Sequence, residues 1–207
     1  MRSIRVGVVA DTHCPEFLDE LPQNLSRLLE GVELILHAGD IGSLDTIRTL
    51  ERIAPVEAVR GDHDRGLDLP TRRVVEVGGR RIGILHGNRS HLIEEPATFV
   101  GTVSLGHWWP KIGIHGWLRS AFPEADAVVY GHTHHADSRH VAGALVFNPG
   151  AVYQVSPEEA AKRLARNPSW FEWSWLQVMR HRRVWPKPTV GILEIGDGGI
   201  VSRVLPL

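Results

Sequence analysis

A single cysteine, Cys14, stands in 207 residues, so no intramolecular disulfide can form and a disulfide-stapled scaffold is excluded. Long apolar runs are missing too. None approaches the roughly 20 residues that cross a bilayer as a helix, which argues against a membrane-spanning protein. Neither sign of charge is in excess: Lys and Arg number 23, Asp and Glu 24, and the net charge is -1. No dominant field therefore draws the chain to nucleic acid or to an anionic membrane. There is no internal repeat and no low-complexity tract. The glycine-rich loop of a dinucleotide-binding fold is absent from its place, because the first strand-like segment runs into Asp11-Thr12-His13. Met1-Arg2-Ser3-Ile4 leads straight into that segment with no leader-like stretch, so a cytoplasmic protein is the expectation.

What is present is ordinary in bulk. A composition 43% hydrophobic and 23% charged rules out wholesale disorder, and the length suits one domain over residues 1–207. At this size about 70% of the unfolded chain's surface is buried on folding, enough for a self-sufficient core. The unusual count is histidine, at 12. Imidazole is both a common metal ligand and an acid–base group, so the positions of these residues carry the functional reading.

Ile4 to Ala10 is a short β-branched run, as in a buried strand. Residues 17–30 place Leu18, Leu21, Leu25, Leu28 and Leu29 at near-helical spacing. Glu33 to His37 is a second strand. Ser43 is placed to cap a helix reaching residue 53, and Val56 to Arg60 is a third strand. Strand–helix alternation of this kind predicts a parallel sheet with helices packed on it. The texture then changes. Arg73–Val77 and Arg80–Leu85 around Gly78-Gly79 read as a hairpin, Ala125 to Tyr130 and Ala144 to Phe147 as strands, and 189–195 with 200–205 as a closing hairpin. Two segments interrupt the series, at about 89–122 and 153–188. All seven tryptophans lie there: Trp108, Trp109, Trp117, Trp170, Trp173, Trp175 and Trp185.

Polar residues recur where strands end: Asp11-Thr12-His13, Gly39-Asp40, Gly61-Asp62-His63-Asp64, His86-Gly87 and Gly131-His132-Thr133-His134. In open α/β sheets, ligands bind beyond the carboxyl ends of the strands. Three carboxylates (Asp11, Asp40, Asp62) and four imidazoles (His13, His86, His132, His134) would thus be delivered to one rim. A mixed oxygen and nitrogen donor set suits Mn, Fe, Zn, Ni or Co better than Ca or Mg. Seven ligands exceed the needs of one tetrahedral ion and suit two ions that share a carboxylate.

In this ordered series the chain resembles the calcineurin-like metallophosphoesterases, and within them the small prokaryotic phosphodiesterase branch that also includes Vps29. The matching motifs span residues 4–150. The resemblance implies a four-layer α/β/β/α sandwich, two divalent transition metal ions with manganese first among them, and hydrolysis of a phosphate ester by solvent activated between the ions. It implies that Asp11, His13 and His134 hold one metal, that Asp62, His86 and His132 hold the other, that Asp40 bridges both, and that His63 serves the leaving group. A small phosphate ester, and a phosphodiester in particular, is the implied substrate. The alternative is a catalytically weak metal-binding scaffold of the Vps29 kind.

The chain departs from the family pattern in three places. Asp62 stands where Asn is usual. Ser43 occupies the position, three after the bridging Asp40, where many phosphatases carry an Asp, so an orienting group for His63 must come from elsewhere; Asp64 is its sequence neighbour. His63 replaces the Cys of many small relatives, which favours an enzyme over a scaffold. Around the motifs, Arg65, Arg89 and His135 are candidate substrate contacts, His37 a supporting group, Cys14 a buried small residue, and Asn148-Pro149-Gly150 a turn near the rim. Ser156-Pro157 marks a helix start, and a further helix is expected from Ser169 to about Arg182. The Trp-rich segments are expected to pack together, to cover the site as a lid, or to form a dimer surface.

Overall fold

The computed structural model describes residues 3–89, 113–168, 170–180 and 186–207. Two compact units emerge: Met1–Asn88 with His115–Tyr153 and Lys187–Leu207, and Arg89–Ile114 with Gln154–Pro186.

The first unit holds two five-stranded sheets. In one, β1 (Ile4–Val9), β2 (Leu34–His37) and β3 (Val56–Ala58) run parallel. Residues 189–196 and 199–206 extend its far edge as an antiparallel hairpin, whose first strand pairs with β1. The second sheet has β4 (Arg72–Val77), β5 (Arg80–Leu85), β6 (Ala127–Val129), β7 (Asp137–Val141) and β8 (Ala144–Asn148), in the order β4-β5-β6-β8-β7. β5, β6 and β8 are parallel, while β4 and β7 are antiparallel edges. The closing hairpin supplies β9 (Thr189–Gly196) and β10 (Gly199–Pro206).

Strand alternation explains how the layers assemble. Val6, Val8 and Leu36 of the first sheet meet Ile82, Ile84, Val129, Leu145 and Phe147 of the second in one buried cluster. Val9 and Ile35 point the other way and are covered by α1 (Leu25–Leu28) and α2 (Leu44–Glu51) through Leu25 and Leu50. On the outer side of the second sheet, Gly83 lets the Phe122 ring approach, and Phe122 follows α3 (Ile114–Ala121). Helix, sheet, sheet and helix are the expected four layers. Both faces of β1 are covered, which is why it reads as a continuous apolar run rather than an alternating one.

Local chemistry accounts for most of the boundaries. Gly78 and Gly79 both take positive φ, 57° and 71°, as a primed two-residue turn requires. Ser43 caps α2 by accepting the Thr46 N–H at 3.2 Å. The buried face of α2 carries Thr46, whose hydroxyl donates to the Cys14 carbonyl at 2.7 Å, while Leu44 is 49% exposed. One expectation is corrected. The leucine spacing over 17–30 does not make a helix of that length; only Leu25–Leu28 is helical. Pro22 disfavours the helical conformation at Leu21, and Leu18 and Leu21 pack on the core from an irregular loop. The strand β7 was not legible either, because Asp-Ser-Arg-His-Val is a polar edge with no buried face.

In the second unit, α4 (Pro157–Leu164) starts as expected, with Ser156 accepting the Glu159 N–H at 3.1 Å. Arg163 joins it to α5 (Trp170–Arg180) through Glu172, at 2.6 Å. Ala160, Leu176 and Met179 are buried. Trp170 and Trp173 are exposed, at 76% and 48%, and so is Trp117 in the first unit, at 38%. Trp108, Trp109, Trp185 and the side chain of Trp175 lie outside the described residues, as do Ser169 and Arg182. No helix among the described residues is long and apolar enough to cross a membrane.

Candidate metal centre

Parallel strands end on one side, and each delivers one loop of the centre. Asp11 and His13 follow β1, Asp40 follows β2, Asp62 and His63 follow β3, His86 follows β5, and His132 and His134 follow β6. These loops are woven together by their backbones. Asp11 N–H donates to Gly39 O at 3.0 Å, His13 N–H to Asp40 O at 2.9 Å, and Gly131 N–H to His86 O at 2.9 Å. Five of the candidate ligands hold positive φ: Asp11 52°, His13 46°, Asp40 54°, His132 65° and His134 53°. For residues other than glycine this conformation costs on the order of 1–3 kcal/mol and persists only where the surroundings over-determine it. Repetition of the strain at the same residues that carry donor atoms marks a functional site rather than five unrelated turns.

The donor atoms converge. Asp11, His13 and His134 form one group with ligand atoms all within 4.8 Å of one another; Asp62, His86 and His132 form a second, and Asp11, Asp40 and His86 a third. The Asp40 carboxylate lies between the first two. Its Oδ2 is 3.2 Å from His86 Nε2 and 3.6 Å from His13 Nε2. All seven sequence-predicted ligands therefore fall in one cluster, with Asp40 at its centre.

The imidazoles fit cations. His86 donates Nδ1–H to the Ala38 carbonyl at 2.9 Å, which leaves Nε2 as the lone-pair nitrogen turned inward. That Nε2 is buried and makes no hydrogen bond, although Asp40 Oδ2 lies 3.2 Å away. His13 Nδ1 is also buried without a hydrogen-bond partner, but it faces Glu16, and Nε2 is the nitrogen toward Asp40. Orphaned buried nitrogens are rare unless something else satisfies them, and a divalent cation would. Electrostatics agree. Burial pushes Asp11 up to about 8, against the opposing pull of His86. His86 rises to about 9 because Asp40 and Asp11 outweigh its desolvation. Asp40 itself, despite burial, is held well below the usual carboxylate range by His86, His13 and the His63 N–H. Surrounding protein and the neighbouring imidazoles of His13 and His132 lower His134 to about 3. These are donors built to share a positive charge.

Supporting groups were only partly legible. His37 is fully buried; it accepts the Gly39 N–H at 3.3 Å and meets Thr12 Oγ1 at 3.1 Å, and Thr12 in turn donates to Ile41 O at 2.8 Å. Burial lowers His37 to about 4, so it stays neutral and ties the first two loops together. Asn148 donates to Gly131 O at 2.8 Å and to Thr133 Oγ1 at 3.2 Å, fixing the loop that carries His132 and His134. Asp64 does not orient His63. Its carboxylate is buried and accepts the N–H groups of Ile41, Gly42 and Gly61 at 2.9 Å each. Sequence reasoning missed Glu16, whose carboxylate meets His63 Nδ1 at 2.9 Å, and Asn88, which donates to Asp62 Oδ1 at 2.7 Å. Neither sits in a recognisable motif. Arg65 is exposed and Arg89 half-buried; exposed His135 donates Nδ1–H to Thr133 O at 2.6 Å. None of these three enters the ligand groups.

Gly61 has no room for a side chain. A Cβ there would stand 2.5 Å from the Asp40 nitrogen and closer still to its carboxylate. Gly61→Ala is expected to cost about 1–3 kcal/mol of stability, as overpacking does, and to displace Asp40 from both ligand groups. Thermal melting of metal-free protein and metal content after reconstitution would check both; native melting with full metal content would refute the displacement.

Residues 4–165 match the model of the calcineurin-like phosphoesterase superfamily domain. A probable metallophosphoesterase of Methanothermobacter thermautotrophicus is 34% identical over 148 residues, which is 70% of this chain and 76% of that protein. Among solved structures, wild-type Vps29 of Entamoeba histolytica in complex with Zn²⁺ has a TM-score of 0.62 at 21% identity, covering 98% of this chain and 99% of that one. A predicted phosphoesterase from Streptococcus pneumoniae has a TM-score of 0.59 at 20% identity, covering 100% and 91%. At such identities the likeness to the solved structures is one of fold.

Proposed function

The chain belongs to the calcineurin-like phosphoesterase superfamily, and on that premise we propose that it is a metal-dependent phosphodiesterase acting on a small phosphate ester. The carrying observation is the convergence of two three-residue donor groups on either side of Asp40. In this reading Asp11, His13 and His134 would hold one divalent cation and Asp62, His86 and His132 a second, with Asp40 between the two groups as the carboxylate they would share. Vps29 of Entamoeba histolytica takes Zn²⁺ on the same fold, and the mixed donor set here suits manganese equally. Bound cations would supply Lewis acidity, making water acidic enough to ionise near neutral pH and drawing charge from the phosphoryl oxygens.

The chain's own groups do the rest. Asp40 holds the two halves of the centre at a fixed separation and keeps its negative charge among the imidazoles. Ala38 and Asp11 orient His86 and the His132 backbone, so little reorganisation is needed when substrate arrives. Asn88 fixes Asp62 where the family usually has Asn, and the extra carboxylate tightens cation binding. His63 lies at the mouth of the cluster, 4.7 Å from the His13 ring centre, where it can give a proton to the departing oxygen. Arg65 and His135, on the loops that carry Asp62 and His134, are the groups we assign to the outer phosphate oxygens. A scaffold that merely kept a metal site would have no use for a half-exposed His63 held by a carboxylate.

Hydrolysis of a bis-aryl phosphodiester with added Mn²⁺ tests the reading. Activity is expected to vanish with a chelator and to return with the metal. A reconstituted protein holding two ions that hydrolyses no phosphate ester would instead support the scaffold.

A further inference from the structure

We propose that Glu16 is the positioning residue for His63, supplying from the loop after β1 the carboxylate that the family pattern would place at position 43. The inference rests on the phosphoesterase reading above and goes further into the same site. Position 43 cannot serve, because Ser43 is spent on capping α2. Asp64 cannot serve either, because its carboxylate is filled by three backbone N–H groups. Glu16 faces His63 with both oxygens, at 2.9 and 3.1 Å from Nδ1. A carboxylate accepts only, so the ring donates Nδ1–H and Nε2 is the nitrogen left for substrate.

The rest of the ring is held as well. Its backbone N–H donates to Asp40 Oδ1 at 2.9 Å. Phe17, next to Glu16, meets it edge-on at 5.7 Å between ring centres, and His13 does so at 4.7 Å and 85°. The same Glu16 carboxylate is 3.7 Å from His13 Nδ1, so one side chain faces both the leaving-group histidine and a metal ligand.

Magnitudes separate this role from a structural one. Glu16 and His63 are 42% and 40% exposed, and exposed ion pairs contribute little to stability. What the contact provides is geometry and tautomer. An isolated neutral imidazole favours the proton on Nε2; a carboxylate behind Nδ1 reverses that preference. In the reaction, a water oxygen forms the new bond to phosphorus and loses a proton to solvent. The ester P–O bond breaks with its electron pair going to the departing oxygen, which takes the Nε2 proton of imidazolium His63. The ring is left neutral with Nδ1–H still donated to Glu16, and solvent returns the second proton.

The rival arrangement is a third cation held by the same atoms, since His13, Glu16 and His63 place ligand atoms within 4.8 Å of one another. Metal content distinguishes the two. The experiment compares parent, Glu16→Gln, His63→Ala and the double variant, reconstituted with Mn²⁺, on aryl methyl phosphodiesters from 4-nitrophenyl to phenyl. Glu16→Gln is expected to lower kcat about threefold on the 4-nitrophenyl ester and about 30-fold on the phenyl ester, with KM nearly unchanged, as loss of an aligned general acid predicts. The double variant should be no slower than His63→Ala, and metal content should equal the parent's. Independently of activity, ¹⁵N-histidine spectra of metal-free protein at about pH 8.5, well above the ordinary imidazole value, should show His63 protonated on Nδ1 in the parent and mainly on Nε2 in Glu16→Ala. Equal losses across the ester series, additive losses in the double variant, one ion fewer in Glu16→Gln, or an unchanged His63 pattern would each overturn the proposal alone. A parent inactive on every ester overturns the phosphoesterase reading and this role with it.

Discussion

Asp40→Asn is expected to reduce Mn²⁺-dependent phosphodiester hydrolysis by about a thousandfold or more, because it takes the shared charge out of the centre while leaving the shape. The substitution is nearly isosteric. Asparagine still offers Oδ1 to the His63 N–H, now at 2.9 Å, so the loop after β3 keeps its anchor. What it loses is the anionic oxygen 3.2 Å from His86 Nε2 and 3.6 Å from His13 Nε2, the point where the two donor groups touch. Cation binding should therefore weaken in both groups at once, and reconstituted protein should hold one ion or fewer. Steady-state kinetics on a bis-aryl phosphodiester and elemental analysis read the two effects. Circular dichroism should be unchanged. A variant with two ions and parental turnover would show that Asp40 bridges nothing.

Asp64→Ala is expected to have the largest effect on stability, about 3–5 kcal/mol, although Asp64 belongs to no ligand group. Its side chain is 1% exposed and closes three backbone donors at once: Ile41 and Gly42, just beyond Asp40, and Gly61, just before Asp62. Each hydrogen bond to a charged acceptor contributes about 1.5–3 kcal/mol, and alanine would leave all three N–H groups without that acceptor. For a chain of this size the melting temperature of metal-free protein should fall by roughly 10 °C. Metal affinity should fall with it, since the clamp sets the spacing of the loops after β2 and β3. Asp64→Asn retains one acceptor oxygen and should lose about half as much. A melting temperature within about 2 °C of the parent would mean that water replaces the carboxylate and the clamp is dispensable.

These two aspartates show what kind of information each level holds. Asp40 could be read as a site residue from its place after a short apolar strand, beside a glycine, in a series of similar strand ends. Asp64 could not be assigned correctly, because adjacency to His63 in sequence says nothing about which way the carboxylate turns. It turns back into the protein, where backbone donors from two loops await it. Glu16 is the complementary case. It lies 47 residues from His63, outside any motif, and only the curl of the loop after β1 brings the two together.

The sequence by itself determined the layered α/β scheme, the caps at Ser43 and Ser156, the turn at Gly78-Gly79 and which seven Asp and His side chains converge beyond the strand ends. Each depends on short-range rules: period-two burial, capping chemistry, positive φ in glycine, and the common direction in which parallel strands end. Tertiary structure alone decided the length of the helix around Leu25, the existence of β7, the clamp of Asp64 and the pairing of Glu16 with His63. These depend on which surface a segment finds to pack against and which donor is left unsatisfied nearby, and neither is encoded within a few residues of the position concerned.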